Sequence, residues 1–261
     1  MTDKIIVEQT GAILRITFNQ PEKRNAVSLE MWEAVEAALS KYASDASVRA
    51  LIMSGAGGKA FVSGADISKF ESERSSAEAV EHYNATTKKV YDMVEAFPKP
   101  TIAQIDGFCI GGGVALSVCC DIRICGESSA FAIPAARLGL GYGFRGINRL
   151  ANLVGPAFAK EIFFTARRYN AEEVLRIGLV NHVVEDGKVV TMAEEMALQI
   201  IENAPMTVDA VKFIANQTRM DESQRDLEAC DAMVQACFSS ADYIEGRRAF
   251  MEKRKPVWQG I

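Results

Sequence analysis

Two glycine-bearing segments carry the residues best suited to chemistry. Gly111-Gly112-Gly113 precedes a short apolar stretch, residues 114–120, that reads as a buried helix. A helix start stripped of side chains leaves backbone N–H groups unpaired and pointing outward, at the positive end of the helix dipole. An oxygen that gains negative charge is stabilised by such donors. Ser63-Gly64-Ala65-Asp66-Ile67 is the complement, because a small-Gly-small run lets backbone approach a ligand closely and present one more N–H. Asp66 is placed to cap the following turn rather than to act as acid or base.

Other uses of these glycines fit less well. No Gly-Lys-Ser/Thr follows residue 113, so the segment is not a phosphate loop, and the GxGxxG spacing of a dinucleotide fold is missing. The two histidines, His82 and His182, lack ligand-like neighbours, and the six cysteines include no CxxC. Reduced core thiols and no metal site are the expectation.

The elements that must position these segments alternate. Ile13–Phe18 is β-rich and ends at the turn Asn19-Gln20-Pro21. Ser28 is a candidate N-cap for a helix reaching Tyr42 through Met31, Trp32, Val35 and Leu39, although Met31 occupies the place of a capping-box glutamate. A buried strand is predicted over 50–54, a second glycine-bearing segment over 61–70, and a helix over 79–97 that Pro98-Lys99-Pro100 ends. Thr101–Ile105 and residues 121–125 read as further strands. Alternation of this kind predicts an α/β domain with a mostly parallel sheet and crossover helices. From Ala171 onward the pattern is almost all helical. The chain divides into a core over 1–200 and a helical part over 201–261.

Composition bounds the rest. Of 261 residues, 49% are hydrophobic and 24% charged, as in a globular domain with a sizeable core, and the net charge of −5 disfavours nucleic acid as a partner. No apolar run reaches membrane-span length and the first residues lack a secretory stretch, so the expectation is a cytoplasmic protein with no membrane partner.

The segment Lys59-Ala60-Phe61-Val62-Ser63-Gly64-Ala65-Asp66-Ile67 resembles the first signature of the crotonase (enoyl-CoA hydratase/isomerase) superfamily. Ile105-Asp106-Gly107-Phe108-Cys109-Ile110-Gly111-Gly112-Gly113, with Cys120-Asp121 beyond, is similar to the second, and the likeness extends to Phe250-Met251-Glu252-Lys253-Arg254-Lys255. The resemblance implies a crotonase-like fold of repeated ββα units with a helical C-terminal trimerisation region. It implies an acyl-CoA substrate whose thioester carbonyl is held by the N–H groups of Ala65 and Gly112. It also implies a coenzyme A site lined by Arg24, Ala26, Ser63, Ala65 and Ile67. Phe250 and Lys253 match positions that reach the coenzyme A of a neighbouring subunit, in a homotrimer or a dimer of trimers. No cofactor is implied beyond the coenzyme A moiety of the substrate.

The chain departs from a hydratase at two places. Hydratases of this family carry one glutamate two residues after the Gly-Gly-Gly segment and another directly after Phe-x-x-Pro; the residues here are Ala115 and Ala135. A methyl group cannot take or give a proton, so ordinary acid–base hydration is not available there. Tyr142, in Leu138-Gly139-Leu140-Gly141-Tyr142-Gly143-Phe144-Arg145-Gly146, resembles a tyrosine of the methylmalonyl-CoA decarboxylase branch, as does the stretch Ser240-Ala241-Asp242-Tyr243-Ile244-Glu245-Gly246. That branch usually carries histidine where this chain has Ala65. Two roles are open for each neighbour. Tyr142 could hydrogen-bond a substrate carboxylate or satisfy backbone, and Arg145 could pair with that carboxylate or with one of the protein's own. Glu71, Glu73 and, more remotely, His82 are alternative sources of a relocated acid or base, each also readable as a surface residue. Three functions follow: a decarboxylase or other carbon–carbon lyase acting through a thioester enolate, a hydratase or isomerase with a relocated acid/base, and a silent acyl-CoA-binding protein.

Overall fold

Six strands build the main sheet, and its central ones are buried on both faces. The computed structural model describes residues 2–69 and 75–261. β1 (Ile5–Thr10) and β2 (Ile13–Phe18) form an antiparallel hairpin, and β2 then pairs in parallel with β3 (Ala50–Gly55). β3 pairs with β5 (Thr101–Ile105), β5 with β7 (Ile122–Gly126), and β7 with β10 (His182–Val184), all parallel. β2 alternates, with Leu14, Ile16 and Phe18 inside, whereas β5 is buried at every residue. That difference is what a central parallel strand covered on both faces requires.

A second, smaller sheet holds the functional segments. β4 (Ala60–Val62), β6 (Phe108–Ile110) and β8 (Ala130–Ala132) pair in parallel, and β9 (Tyr169–Asn170) closes the edge antiparallel to β8. β3, β5 and β7 of the main sheet are each followed by a three-residue strand of the second sheet and then by helical structure. β3–β4 leads to α2 (Ala77–Glu95), and β5–β6 leads to α3 (Gly112–Ser117). This is the repeated ββα plan.

The helices cover the sheets through their apolar faces. α1 (Leu29–Tyr42) buries Met31, Trp32, Val35 and Leu39 in the larger core cluster. Its N-cap Ser28 has the extended backbone of a cap, but the hydroxyl caps nothing and has no hydrogen-bond partner among the described residues. α4 (Phe144–Thr165) is broken at Gly155-Pro156. α5 (Ala171–Arg176) begins with an Asn170/Glu173 capping box. α6 (Val189–Ile201) lays Val189, Ala193 and Ala197 on the opposite face of the main sheet, against Ala50, Ile52, Ile102 and Ile124. α7 (Pro205–Gln217) is tied to the core by Lys212 Nζ donating to Asp121 Oδ2 at 2.7 Å and Lys99 Nζ donating to Asp209 Oδ2 at 3.0 Å. α8 (Leu227–Ser239) and α9 (Ala241–Glu252) complete the helical part.

The C-terminal portion is not purely helical. Five α-helices follow from Ala171 onward as expected, and the one strand among them, β10, pairs with β7 from His182↔Ile124 to Val184↔Gly126. Three residues are too few to display a period, so only the neighbouring strand defines them. The same holds for β4, β6, β8 and β9. All six cysteines are free thiols. Among the described residues, no helix is long and apolar enough to cross a membrane.

Candidate active site

The loop before α1 anchors one wall. Asn25 is fully buried, donates from Nδ2 to the carbonyls of Ala60 (2.7 Å) and Ala56 (3.0 Å), and accepts the Gln20 N–H at Oδ1 (2.9 Å). These bonds fix residues 20–27 against β4. Val27 then forms a parallel bridge with Ala65: the Val27 N–H donates to the Gly64 carbonyl (2.8 Å) and the Asp66 N–H to the Val27 carbonyl (2.9 Å). Because successive N–H groups of an extended chain face opposite sides, the Ala65 N–H points away from Val27.

Facing it is the start of α3. Gly111 has φ 56° and ψ −109°, a backbone that side-chain-bearing residues rarely adopt, and its N–H donates to the Ala132 carbonyl at 2.8 Å. Gly113 lies so close to β4 that an added Cβ would collide with the Val62 carbonyl oxygen and stand 3.1 Å from Val62 Cβ. The Cα of Gly64 is 3.8 Å from the position a Gly112 Cβ would take. Among the described residues, neither the Ala65 nor the Gly112 N–H has a hydrogen-bond acceptor. Two free donors therefore sit on adjoining backbone.

The side chains around them follow the sequence in part. Arg24, exposed and with φ 53°, places its guanidinium 5.0 Å from the Phe108 ring centroid. Ala26 is half-buried beside it, and the Ser63 hydroxyl donates to the Lys23 carbonyl at 3.4 Å. Arg24, Ala26, Ser63 and Ala65 are thereby gathered along one seam. Ile67 begins a short 3₁₀ turn over Ile67–Lys69. Asp66 caps that turn, its Oδ1 accepting the Ser68 N–H and hydroxyl at 3.1 and 2.6 Å while Lys23 Nζ donates to Oδ2 at 2.9 Å. Burial works to raise the Asp66 pKa, but these bonds outweigh it and hold the carboxyl at about 2. It is a fixed anion and not a proton carrier.

Further residues come from α2, α3, the 3₁₀ turn Pro134–Leu138 and the loop that leads into α4. Ala115 is half-buried on α3, and Ala135 is buried behind Pro134, whose Cδ lies 4.0 Å from the place of a Gly111 Cβ. Tyr142 packs edge-on against Phe163 at 4.8 Å, and its hydroxyl has no hydrogen-bond partner among the described residues. Burial pushes its pKa up to about 12. Arg145 turns away: its side chain is 64% exposed and donates to Asp92 Oδ2 at 3.0 Å, so the carboxylate it pairs with is the protein's own. His82 stands on the surface 3.4 Å from Glu33. Glu71 and Glu73 lie outside the described residues. Phe250, 83% exposed, lies in the last turn of α9, and Lys253, also exposed, follows it.

Two features were not legible in the motifs. Tyr91 on α2 donates its hydroxyl to the Gly112 carbonyl at 3.3 Å. One residue on, Asp92 accepts from buried Arg149 at 2.6 Å, and Arg149 also donates twice to Glu95 Oε2, at 2.9 and 2.7 Å. Burial would raise the Asp92 pKa, but Arg149 and Arg145 together hold it below the usual carboxylate range. The helical spacing Tyr83, Val90, Val94 marks the buried face of α2 and puts Tyr91 at its border, which is the one signal available beforehand.

A buried α/β frame that presents two backbone donors from glycine turns defines the class of protein, and comparison with known proteins supplies the family. The enoyl-CoA hydratase/isomerase family model matches residues 8–260. A short-chain-enoyl-CoA hydratase of Clostridium acetobutylicum is 36% identical over 253 residues, 97% of this chain and 96% of that protein. A carnitinyl-CoA dehydratase of Salmonella paratyphi A is 34% identical, with all of both chains covered. Among solved structures, an enoyl-CoA hydratase from Bacillus anthracis superposes with a TM-score of 0.93 at 33% identity, covering 99% of this chain and 100% of the other. An enoyl-CoA hydratase/carnithine racemase from Magnetospirillum magneticum gives 0.91 at 35% identity, over 100% and 97%. The chain belongs to the enoyl-CoA hydratase/isomerase family, within the crotonase superfamily.

Proposed function

We propose that the protein binds an acyl-CoA and stabilises a thioester enolate with the N–H groups of Ala65 and Gly112, breaking a carbon–carbon bond as a decarboxylase does. The juxtaposition of those two acceptor-free donors carries the reading. Negative charge that moves onto the thioester oxygen meets two fixed donors and needs no reorganisation, and losing one such donor costs roughly 10²–10³ in rate. Acid–base chemistry has little support beside it. Ala115 and Ala135 are inert, and Asp66 and Asp92, the carboxylates next in sequence to Ala65 and Tyr91, are held ionised by Lys23 and by Arg149. Loss of CO₂ from a 2-carboxyacyl thioester needs no general base, because the electron pair of the breaking bond flows into the thioester oxygen. The open Tyr142 hydroxyl is suited to hold the departing carboxylate; Arg145, committed to Asp92, is left out of that role.

The names of the relatives favour a second reading, hydration of an enoyl-CoA with a relocated acid/base. Paired assays separate the two. CO₂ release from methylmalonyl-CoA without hydration of crotonyl-CoA supports the first. Rapid crotonyl-CoA hydration, abolished by Glu71→Gln or Glu73→Gln, refutes it in favour of the second. Binding of both thioesters with conversion of neither refutes both in favour of a silent binder.

Arg24, Ala26, Ser63 and Ile67 are proposed to line the coenzyme A site, and residues 201–261 to form the assembly region of a homotrimer or a dimer of trimers. Ile244, Phe250 and Met251, apolar and exposed together on α9, support the latter. Mass measurement in solution tests it, and a monomer at micromolar concentration would sink it.

A further inference from the structure

Tyr91 is a side chain that neither glycine motif includes, yet it reaches the point where both meet. Its ring is held edge-on by buried Trp32, with centroids 5.4 Å apart and planes at 80°. A methyl group placed on Gly112 would stand 3.3 Å from the Tyr91 hydroxyl oxygen, 3.8 Å from Gly64 Cα and 4.0 Å from the Gly64 carbonyl carbon. That carbon is bonded to the Ala65 nitrogen. The hydroxyl, Gly112 and the peptide that carries the Ala65 N–H thus surround one small volume, kept open because residue 112 has no side chain.

The hydroxyl is only loosely engaged. Its bond to the Gly112 carbonyl, at 3.3 Å, is long for an O–H donor, which prefers about 2.7–2.8 Å. Burial raises its pKa well above the ordinary tyrosine value, with the nearby Tyr142 adding to the shift, so the phenol stays protonated and remains a donor. A phenolic O–H can rotate about its C–O bond, which a backbone N–H cannot, so exchanging a weak acceptor for a more negative one costs little.

We propose that Tyr91 is a third donor of the site, its hydroxyl leaving the Gly112 carbonyl to hydrogen-bond the thioester oxygen beside the N–H groups of Ala65 and Gly112. This rests on the thioester oxygen binding at that pair. A neutral hydroxyl there shares the developing charge without transferring a proton, so no further reactant is required. It also explains why a tyrosine oxygen lies next to a residue whose Cβ would crowd it.

The test uses a chromophoric thioester, 4-(dimethylamino)cinnamoyl-CoA, whose absorption moves to longer wavelength as its carbonyl oxygen gains hydrogen bonds. The full-length protein and its Tyr91→Phe variant are titrated to saturation, with folding checked by circular dichroism and thermal midpoint. Wild type is expected to shift the band to the red, and Tyr91→Phe to give a smaller shift at saturation, with affinity weakened about two- to tenfold for one lost hydrogen bond. A merely structural tyrosine would weaken affinity and leave the saturated shift unchanged; that result overturns the proposal and spares the Ala65–Gly112 pair. Saturable binding by wild type with no red shift overturns both readings, and no binding at all overturns the acyl-CoA site itself. Gly112→Ala supplies a second measurement, since its methyl meets the hydroxyl. The proposal expects this substitution to lower the red shift by a larger factor in wild type than in the Tyr91→Phe background, and equal factors would contradict it.

Discussion

Gly113→Ala isolates how the α3 turn is held. Alanine is the better helix former by about 1 kcal/mol, so propensity alone predicts a more stable protein. The local geometry opposes this. The new methyl would collide with the Val62 carbonyl oxygen and stand 3.0 Å from its carbon, and these are backbone atoms of β4 that cannot rotate aside. Relief requires α3 and β4 to separate, a form of overpacking that costs about 1–3 kcal/mol. The net expectation is a loss of up to about 2 kcal/mol, which lowers the thermal midpoint by up to roughly 8 °C for a chain of this size. Separation also carries the Gly112 N–H away from the Ala65 N–H, so turnover should fall by roughly 10²-fold if one donor is effectively lost. Gly141→Ala is the control, because its Cβ would meet nothing within 4 Å and its backbone is not in the left-handed region. Scanning calorimetry reads the first effect, and turnover together with the saturated probe shift reads the second. A Gly113→Ala protein with an unchanged midpoint and an unchanged shift would refute the close α3–β4 contact as the device that sets donor spacing.

Other changes probe separate parts of the site. Tyr142→Phe should lower the rate of methylmalonyl-CoA decarboxylation and leave coenzyme A affinity nearly unchanged; equal turnover would remove Tyr142 from the mechanism. Arg149→Met removes the buried cation between Asp92 and Glu95, which keep Arg145 and Arg219, and chemical denaturation should show a loss of about 1–3 kcal/mol. Arg145→Ala, at an exposed pair, should cost less than about 1 kcal/mol. A reversed order would mean the network is not organised around Arg149. Asp66 predicts an acid limb in stability. Its folded pKa of about 2 lies below the ordinary 3.8, so its contribution, about 2 kcal/mol, is complete above about pH 5 and is lost as pH falls towards 2. In Asp66→Asn that limb should flatten between about pH 4 and 2 in urea titrations, and an unchanged limb would show that Asp66 is not its source.

Local chemistry made the main features legible in the linear chain. Backbone donors need no particular side chains, only glycine where a side chain would obstruct, so Gly64 and Gly111 through Gly113 mark the candidate site in the sequence. The strands Ile13–Phe18 and Thr101–Ile105 were predicted at their observed bounds, because β-rich runs ended by turn residues define themselves. Asp66 was legible as a cap for the same local reason. Tertiary structure decided what depends on partners far along the chain. The three-residue strands β4, β6, β8 and β10 exist only because neighbours complete their hydrogen bonds. Whether Arg145 faced a substrate or Asp92 depended on where α2 and α4 meet, 53 residues apart. Tyr91 reads along α2 as one more residue at the edge of an apolar face, and only the packing of that helix against α3 brings its hydroxyl to Gly112.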